Sequence, residues 1–328
     1  MNKPETFADI AVLGAGAWGT ALAVQAAAKS GAKVTLWARN QARAQAMRTV
    51  LENPRLPGIA LPANLTVSSE ITPAGLYLVC VPMQNLRALL ADIPQSQAPL
   101  VLCCKGLETS SLLLAPELAA QCQPHRPVAV LSGPNFAHEI AAGLPAAAVL
   151  ATPHANLRPQ LVAALSTASL RLYGSADITG AALGGAAKNV IAIAAGVVMG
   201  AGLGENARAA LVTRGIAEIA RLAVALGGKA ETVSGLSGLG DLLLTCTGVS
   251  SRNYSLGHAL GKGLTLAEIL QSRSSVTEGV ATAPALLARA QQADVDMPIT
   301  AAVTALLAGE LDVPGTMQAL MGRALKDE

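Results

Sequence analysis

Residues 178 to 204, "ITGAALGGAAKNVIAIAAGVVMGAGLG", carry almost only small and apolar side chains and a single charge, Lys188. A helix that is apolar on every side must be surrounded, by lipid or by other helices. The stretch is long enough to cross a bilayer. Its many glycines and alanines lower its hydrophobicity, however, and a lysine at a bilayer centre costs roughly 2.5–3.5 kcal/mol. No second apolar span accompanies it. A helix buried inside a helical domain fits better, and the chain downstream supplies its neighbours. Ala/Leu/Gly-rich helical segments run over 205–227, 238–246, 252–261, 265–272, 280–293, 298–308 and 315–325, with no strand signal after about Asp177.

The first half reads differently. "DIAVLG" (9–14), "KVTLWAR" (33–39), "LYLVCVP" (76–82), "PLVLCC" (99–104) and "PVAVLSG" (127–133) are short apolar runs, each followed by a helix-compatible segment. "AAAVLAT" (146–152) and "SLRLYGS" (169–175) extend the series. Continuous rather than alternating apolar strands belong to a sheet covered on both faces. The expected architecture is α/β plus all-α: a Rossmann-type, doubly wound parallel sheet over 1–180, then a helical domain over 181–328.

Charge and aromatic content exclude some partners. With 23 basic and 21 acidic residues, nothing pulls the chain toward nucleic acid or anionic lipid. Two Phe, three Tyr and two Trp cannot build a stacking platform for single strands. The four histidines show no metal-ligand spacing, and the five cysteines show no paired spacing. Cys80, Cys103 and Cys104 lie in apolar runs, which reads as buried thiols of a reducing cytoplasm, and no secretory signal pattern opens the chain.

"VLGAGAWGTALA" places Gly14, Gly16 and Gly19 in the G-x-G-x-x-G spacing between a strand and its helix. The first glycine allows the tight turn, the second lets backbone approach a pyrophosphate, and the third permits close helix–strand packing. The second strand ends in Arg39, with Arg43 a turn further on, where a strict NAD site places an acid for the ribose diol. An arginine there suits a 2′-phosphate, so NADP(H) is expected to be accepted beside NAD(H). Solvated surface arginines are the ordinary alternative.

Four further stretches complete the pattern: "CCKGLE" with Lys105, "LSGPNFAHEI", "GLSGLGDLLLTC" with Asp241, and "SSRNYSLG". Together with "GGAAKNVIAIAAG", "VTEGVATA" and the glycine fingerprint, they make the sequence resemble the bacterial NAD(P)-dependent glycerol-3-phosphate dehydrogenases over essentially its whole length. The resemblance implies reversible hydride transfer between NAD(P)H and dihydroxyacetone phosphate, supplying sn-glycerol 3-phosphate for phospholipid synthesis in a cytoplasmic homodimer without a metal. It implies Lys188 as the catalytic acid/base, supported by Lys105 and Asp241. Gly133, Asn135, Ser251, Arg252 and Asn253 join these three around the substrate. Ala17, Trp18, Arg39, Lys105, Ala137, Arg252, Val276 and Glu278 join the glycines along the cofactor.

The residue chemistry suits those roles. Hydride addition to a ketone leaves an alkoxide, which needs a proton and a positive field. A lysine in an apolar surround surrenders its proton readily, because burial favours the neutral amine. Arg252 can hold a phosphate bidentately. Taken singly, the same residues have plainer readings: Lys188 as a lysine snorkelling at a helix end, Asp241 as a helix N-cap, Arg252 as a loop arginine. Two positions depart from the family pattern, Ala17 and Met83 each standing where serine is usual. Other two-domain dehydrogenases that use a lysine from a second-domain helix, such as ketopantoate reductases, act on carboxylates and are the nearest competing reading.

Overall fold

The computed structural model describes residues 7–29, 31–248, 250–272 and 277–322. These form two compact units, Met1–Lys105 with Ala115–Ala182, and Gly106–Leu114 with Leu183–Glu328.

The first unit alternates strand and helix: β1 (Asp9–Leu13), α1 (Ala17–Ala28), β2 (Lys33–Trp37), α2 (Gln41–Val50), β3 (Glu52–Asn53), β4 (Leu56–Ala60), β5 (Leu65–Ser68), β6 (Leu76–Val79), α3 (Leu86–Asp92), β7 (Leu100–Leu102), α4 (Ala115–Cys122), β8 (Val128–Ser132), α5 (Ala137–Ala141), β9 (Ala146–Ala151), α6 (Leu157–Leu165) and β10 (Leu170–Ser175). Eight strands make one sheet in the order β10-β9-β8-β7-β6-β1-β2-β5. The six from β5 to β8 are mutually parallel, as expected of a doubly wound sheet. β9 pairs antiparallel with β8, and β10 runs parallel to β9, so the last two strands are reversed. β6 and β8 are buried at every position, which is why their sequences show no alternation. The two-stranded hairpin β3–β4 stands outside the sheet.

Among its described residues the second unit is helical from Leu183 onward, and its short segment Gly106–Leu114 carries an isolated antiparallel bridge between Leu107 and Leu114. Its spine is α7 (Ile178–Gly200), which starts in the first unit, and around it come α8 (Gly204–Ala225), α9 (Ala230–Val233), α10 (Asp241–Cys246), α11 (Arg252–Gly261), α12 (Leu266–Gln271), α13 (Glu278–Gln292), α14 (Pro298–Ala308) and α15 (Val313–Met321). α7 is the one described helix long and apolar enough to cross a membrane, and 89% of that apolar window is buried within the protein. Its glycines explain how. A Cβ on Gly196 would lie 2.1 Å from the Tyr254 carbonyl oxygen, and one on Gly257 would lie 1.9 Å from that of Ile193. Glycines on both helices thus let the α7 and α11 backbones touch, a closeness no larger residue permits.

Candidate active site

The residues singled out in the sequence fall into two groups, one in each unit. In the first, the strand β1 delivers the chain into the turn Gly14–Gly16, from which α1 starts. Gly14 takes φ +119°, and a Cβ there would meet the Cys80 carbonyl oxygen at 2.7 Å. A Cβ on Gly19 would meet the Gly14 carbonyl oxygen at 2.0 Å, whereas Gly16 has open space around it. Two glycines therefore seal the turn onto the sheet while the middle one leaves its outer side bare. Gly16 caps α1 without any side-chain hydrogen bond, so the first-turn N–H groups of a twelve-residue helix, those of Ala17 and Trp18 included, have no side-chain cap.

Three residues grip this turn from behind. Buried Asn53 donates from its amide to the Ala15 carbonyl at 3.2 Å and to the Thr20 hydroxyl at 2.6 Å. Thr20 in turn donates to the Gly16 carbonyl at 2.8 Å. The Arg43 guanidinium also donates to the Ala15 carbonyl, so Arg43 braces the turn. Arg39, just past β2, is exposed and is the arginine presented to solvent.

Lys105 follows β7, and its ammonium donates to the Gly133 carbonyl past β8 at 3.4 Å. Nearby along the chain, Asn135 precedes α5, whose first residue is Ala137. The Trp18 indole N–H, the Ser132 hydroxyl and the Asn135 amide oxygen are all buried without a hydrogen-bond partner. Buried polar atoms are seldom left so. Such orphans at the C-terminal ends of parallel strands, beside an uncapped helix start and an open glycine, fit a dinucleotide, which binds there in open α/β sheets. Met83 is buried.

The second group centres on Lys188, 8% exposed in the middle of α7. Its ammonium is ion-paired to Asp241, 1% exposed, and donates to the Thr245 hydroxyl at 3.0 Å. Thr245 in turn donates to the Asp241 main-chain carbonyl at 2.5 Å. The expected apolar surround is therefore incomplete: the helix is apolar, but the lysine tip meets a carboxylate and a hydroxyl. A buried ammonium requires such partners. Asp241 is the first residue of α10 rather than its N-cap, which is Gly240. It is carried there by a π-helical turn, Leu236–Gly240, that lies flat against α7 because a Cβ on Gly184 would come within 2.7 Å of the Ser237 carbonyl oxygen.

Ser251 is the N-cap of α11, accepting from the Tyr254 N–H at 3.3 Å. That cap fixes Arg252, exposed at the first helical position, and buried Asn253. Asn253 donates to the Asn189 side-chain oxygen at 2.9 Å and accepts from the Gly279 N–H at 3.0 Å. It thereby ties α11 to the residue after Lys188 and to the start of α13, where Glu278 sits. Val276 lies outside the described residues. Thr245, Asn189 and Asn53 were not among the residues singled out in the sequence. A threonine in "LLLTC" or an asparagine in "ENPRLPG" carries no motif signal of its own.

Likeness to known proteins assigns the family. Residues 9–158 match the profile of the NAD-dependent glycerol-3-phosphate dehydrogenase N-terminus, and residues 177–318 that of its C-terminus. A protein named glycerol-3-phosphate dehydrogenase (NAD(P)+) from Acidiphilium cryptum is 58% identical over 98% of both chains. One of the same name from Gluconobacter oxydans is 52% identical over 96% of this chain and 97% of its own. Among solved structures, the glycerol-3-phosphate dehydrogenase of Coxiella burnetii superimposes with a TM-score of 0.90 at 37% identity, covering 96% of this chain and 99% of its own. With both halves matched in order and its relatives matched nearly end to end, this chain belongs to the NAD-dependent glycerol-3-phosphate dehydrogenase family.

Proposed function

We propose that this protein is an NAD(P)-dependent sn-glycerol-3-phosphate dehydrogenase that interconverts dihydroxyacetone phosphate and glycerol 3-phosphate, an ester used in phospholipid synthesis. The observation that carries the reading is the Lys188 ammonium, held inside the helical unit by Asp241 and Thr245. An interior lysine so anchored is a proton reservoir at a fixed point rather than a surface charge.

A dinucleotide-binding domain, which we take as 1–180, holds the dinucleotide through Gly14, Gly16, Ala17, Trp18 and Gly19, with Arg39 at the adenosine ribose and Lys105 and Ala137 further along. By family likeness we also assign Arg252, Val276 and Glu278, in a helical domain taken as 181–328, to the cofactor. When bound, the nicotinamide supplies or accepts the hydride at the substrate's second carbon. Lys188 Nζ then gives its proton to the oxygen that becomes the hydroxyl, and takes it back in the reverse direction. Asp241 keeps the ammonium aimed, and its charge offsets the loss of solvent around Nζ. Lys105 adds positive field for the developing alkoxide. Arg252, with Asn253, Ser251, Asn135 and Gly133, receives the rest of the substrate, the guanidinium on the phosphate. We further propose a homodimer joined through the helical unit, and a cytoplasmic location that suits five free cysteines.

The direct test is oxidation of NADPH and NADH followed by absorbance with dihydroxyacetone phosphate as acceptor. Turnover with the phosphorylated triose is expected. Reduction of ketopantoate or a β-keto acid in its place would assign the chain to a different dehydrogenase activity.

A further inference from the structure

Cys80 and Cys103 leave adjacent parallel strands at matching positions. The register of β6 and β7 ends with Val79 opposite Leu102, and the next residue on each strand is a cysteine. The Cys103 N–H donates to the Val79 carbonyl at 2.9 Å, so the pairing continues up to the two thiols. In-register neighbours on parallel strands point to the same face of the sheet, and Cys80 packs against the core cluster that holds Cys103. Both are free cysteines, Cys103 buried and Cys80 partly open. Burial among apolar neighbours pushes the Cys103 thiol well up, with the Cys80 contact adding to it, so Cys103 is a poor first target for an oxidant.

Cys80 is also the floor of the glycine turn. Its carbonyl oxygen lies under Gly14 and its Cβ lies 3.0 Å from where a Gly19 Cβ would stand. Its N–H donates to the Leu13 carbonyl at 2.8 Å, at the end of β1. There is no slack between this residue and the turn, so any shift of Cys80 is passed to the backbone of Gly14 and Gly19.

We propose that Cys80 and Cys103 are a peroxide-responsive thiol pair whose disulfide distorts the glycine turn and weakens dinucleotide binding. This rests on the dinucleotide reading of that turn given above. The Cys80 sulfur attacks hydrogen peroxide, the O–O bond breaks, and a sulfenic acid and one water form. The Cys103 sulfur then loses its proton, attacks the Cys80 sulfur and displaces the second water, leaving the disulfide. Two thiols lose two electrons and one peroxide becomes two waters. A thioredoxin-type dithiol, or two molecules of a monothiol such as glutathione, reverses the step by exchange. Neighbouring strands stand about 4.7–4.9 Å apart and a disulfide holds its Cβ atoms about 3.5–4.5 Å apart, so the bond can form but closing it draws the two strand ends together.

The test treats the full chain with hydrogen peroxide, alkylates the remaining thiols after denaturation, maps the linked peptides and titrates NADPH by fluorescence. Alkylatable cysteines should fall from five to three, with Cys80 and Cys103 in one linked peptide. The NADPH dissociation constant should rise by about tenfold, and dithiothreitol should restore both readings. In Cys80→Ser and Cys80→Ala, whatever NADPH dissociation constant each variant starts with should be the same before and after peroxide, with all four remaining cysteines alkylated. Five alkylated cysteines after peroxide, a Cys103–Cys104 link, or a Cys80–Cys103 disulfide without any change in affinity would each overturn the proposal. Peptide mapping reads the disulfide alone, whereas failure of the untreated protein to bind NADPH would count against the dinucleotide reading.

Discussion

Both units depend on glycine, and for opposite reasons. In the first, the glycines keep room for something else: Gly14 and Gly19 press the turn onto the sheet so that the space above Gly16 stays open. In the second, they abolish room. Gly196 and Gly257 bring two helix backbones into contact, and Gly184 does the same for the turn that carries Asp241. A site built from backbone can be recognised by its spacing, because the glycines themselves are the device. A site built from side chains on tightly packed helices shows only its charged members, and the packing that aims them is silent.

The contrast can be broken most forcefully at the buried pair. Asp241→Leu leaves the Lys188 ammonium without its counter-charge and should cost about 3–5 kcal/mol of stability. Adding Lys188→Met to that variant should recover most of the stability and none of the activity. Chemical denaturation of the single and double variants reads this directly. Equal stabilities for the wild type and the Asp241 variant would mean that the pair does not organise the helical unit.

Glu218 on α8 is the next lever. It is buried and accepts from the Ile299 N–H at 2.7 Å and the Thr300 N–H at 3.3 Å, so it receives the N-terminus of α14. Burial raises its pKa from 4.5 to about 7, with those two N–H donors, Arg221 and the Thr300 hydroxyl opposing. A carboxyl whose folded pKa lies above its unfolded one stabilises the fold when protonated. Its contribution is complete below about pH 4.5 and is lost by about pH 7, a change of about 3 kcal/mol. The stability of the wild type relative to Glu218→Gln should therefore decline across that window. A difference that stays flat with pH would contradict the assignment.

Gly257→Ala should cost about 1–3 kcal/mol, because the methyl meets the Ile193 backbone and not a side chain that can move aside; an unchanged melting temperature would show that α7 and α11 can separate freely. The smallest effect is expected in the open unit. Arg39→Asp should raise the Michaelis constant for NADPH by about tenfold, the loss of one charged phosphate contact, with little change for NADH. Equal changes for both cofactors would remove Arg39 from the 2′-phosphate site.

The sequence told these regions apart to different degrees. The buried parallel strands and the glycine turn were legible because continuous apolar runs and glycine spacing are direct consequences of the fold. The reversal at β9 and β10 was not, since "AAAVLAT" is equally apolar in either direction. The hairpin β3–β4 was missed because strands of two and five residues with an irregular register carry no period. Lys188 stood out as one charge in an apolar helix, yet its apolar context hid its partners. Asp241 had the spacing of a helix cap, and Thr245 had no spacing at all. Arg43 looked interchangeable with Arg39 until the structure turned it toward the Ala15 carbonyl. Cys80 and Cys104, read as buried with their strands, lie just past the strand ends and are partly open.

The central claim is that the first unit binds the dinucleotide while the Lys188 assembly moves the proton. Lys188→Ala, assayed for both, separates the two directly. NADPH should bind the variant with wild-type affinity by fluorescence titration, while its turnover with dihydroxyacetone phosphate falls by a factor on the order of 10²–10⁴. Turnover near the wild-type rate would contradict the account.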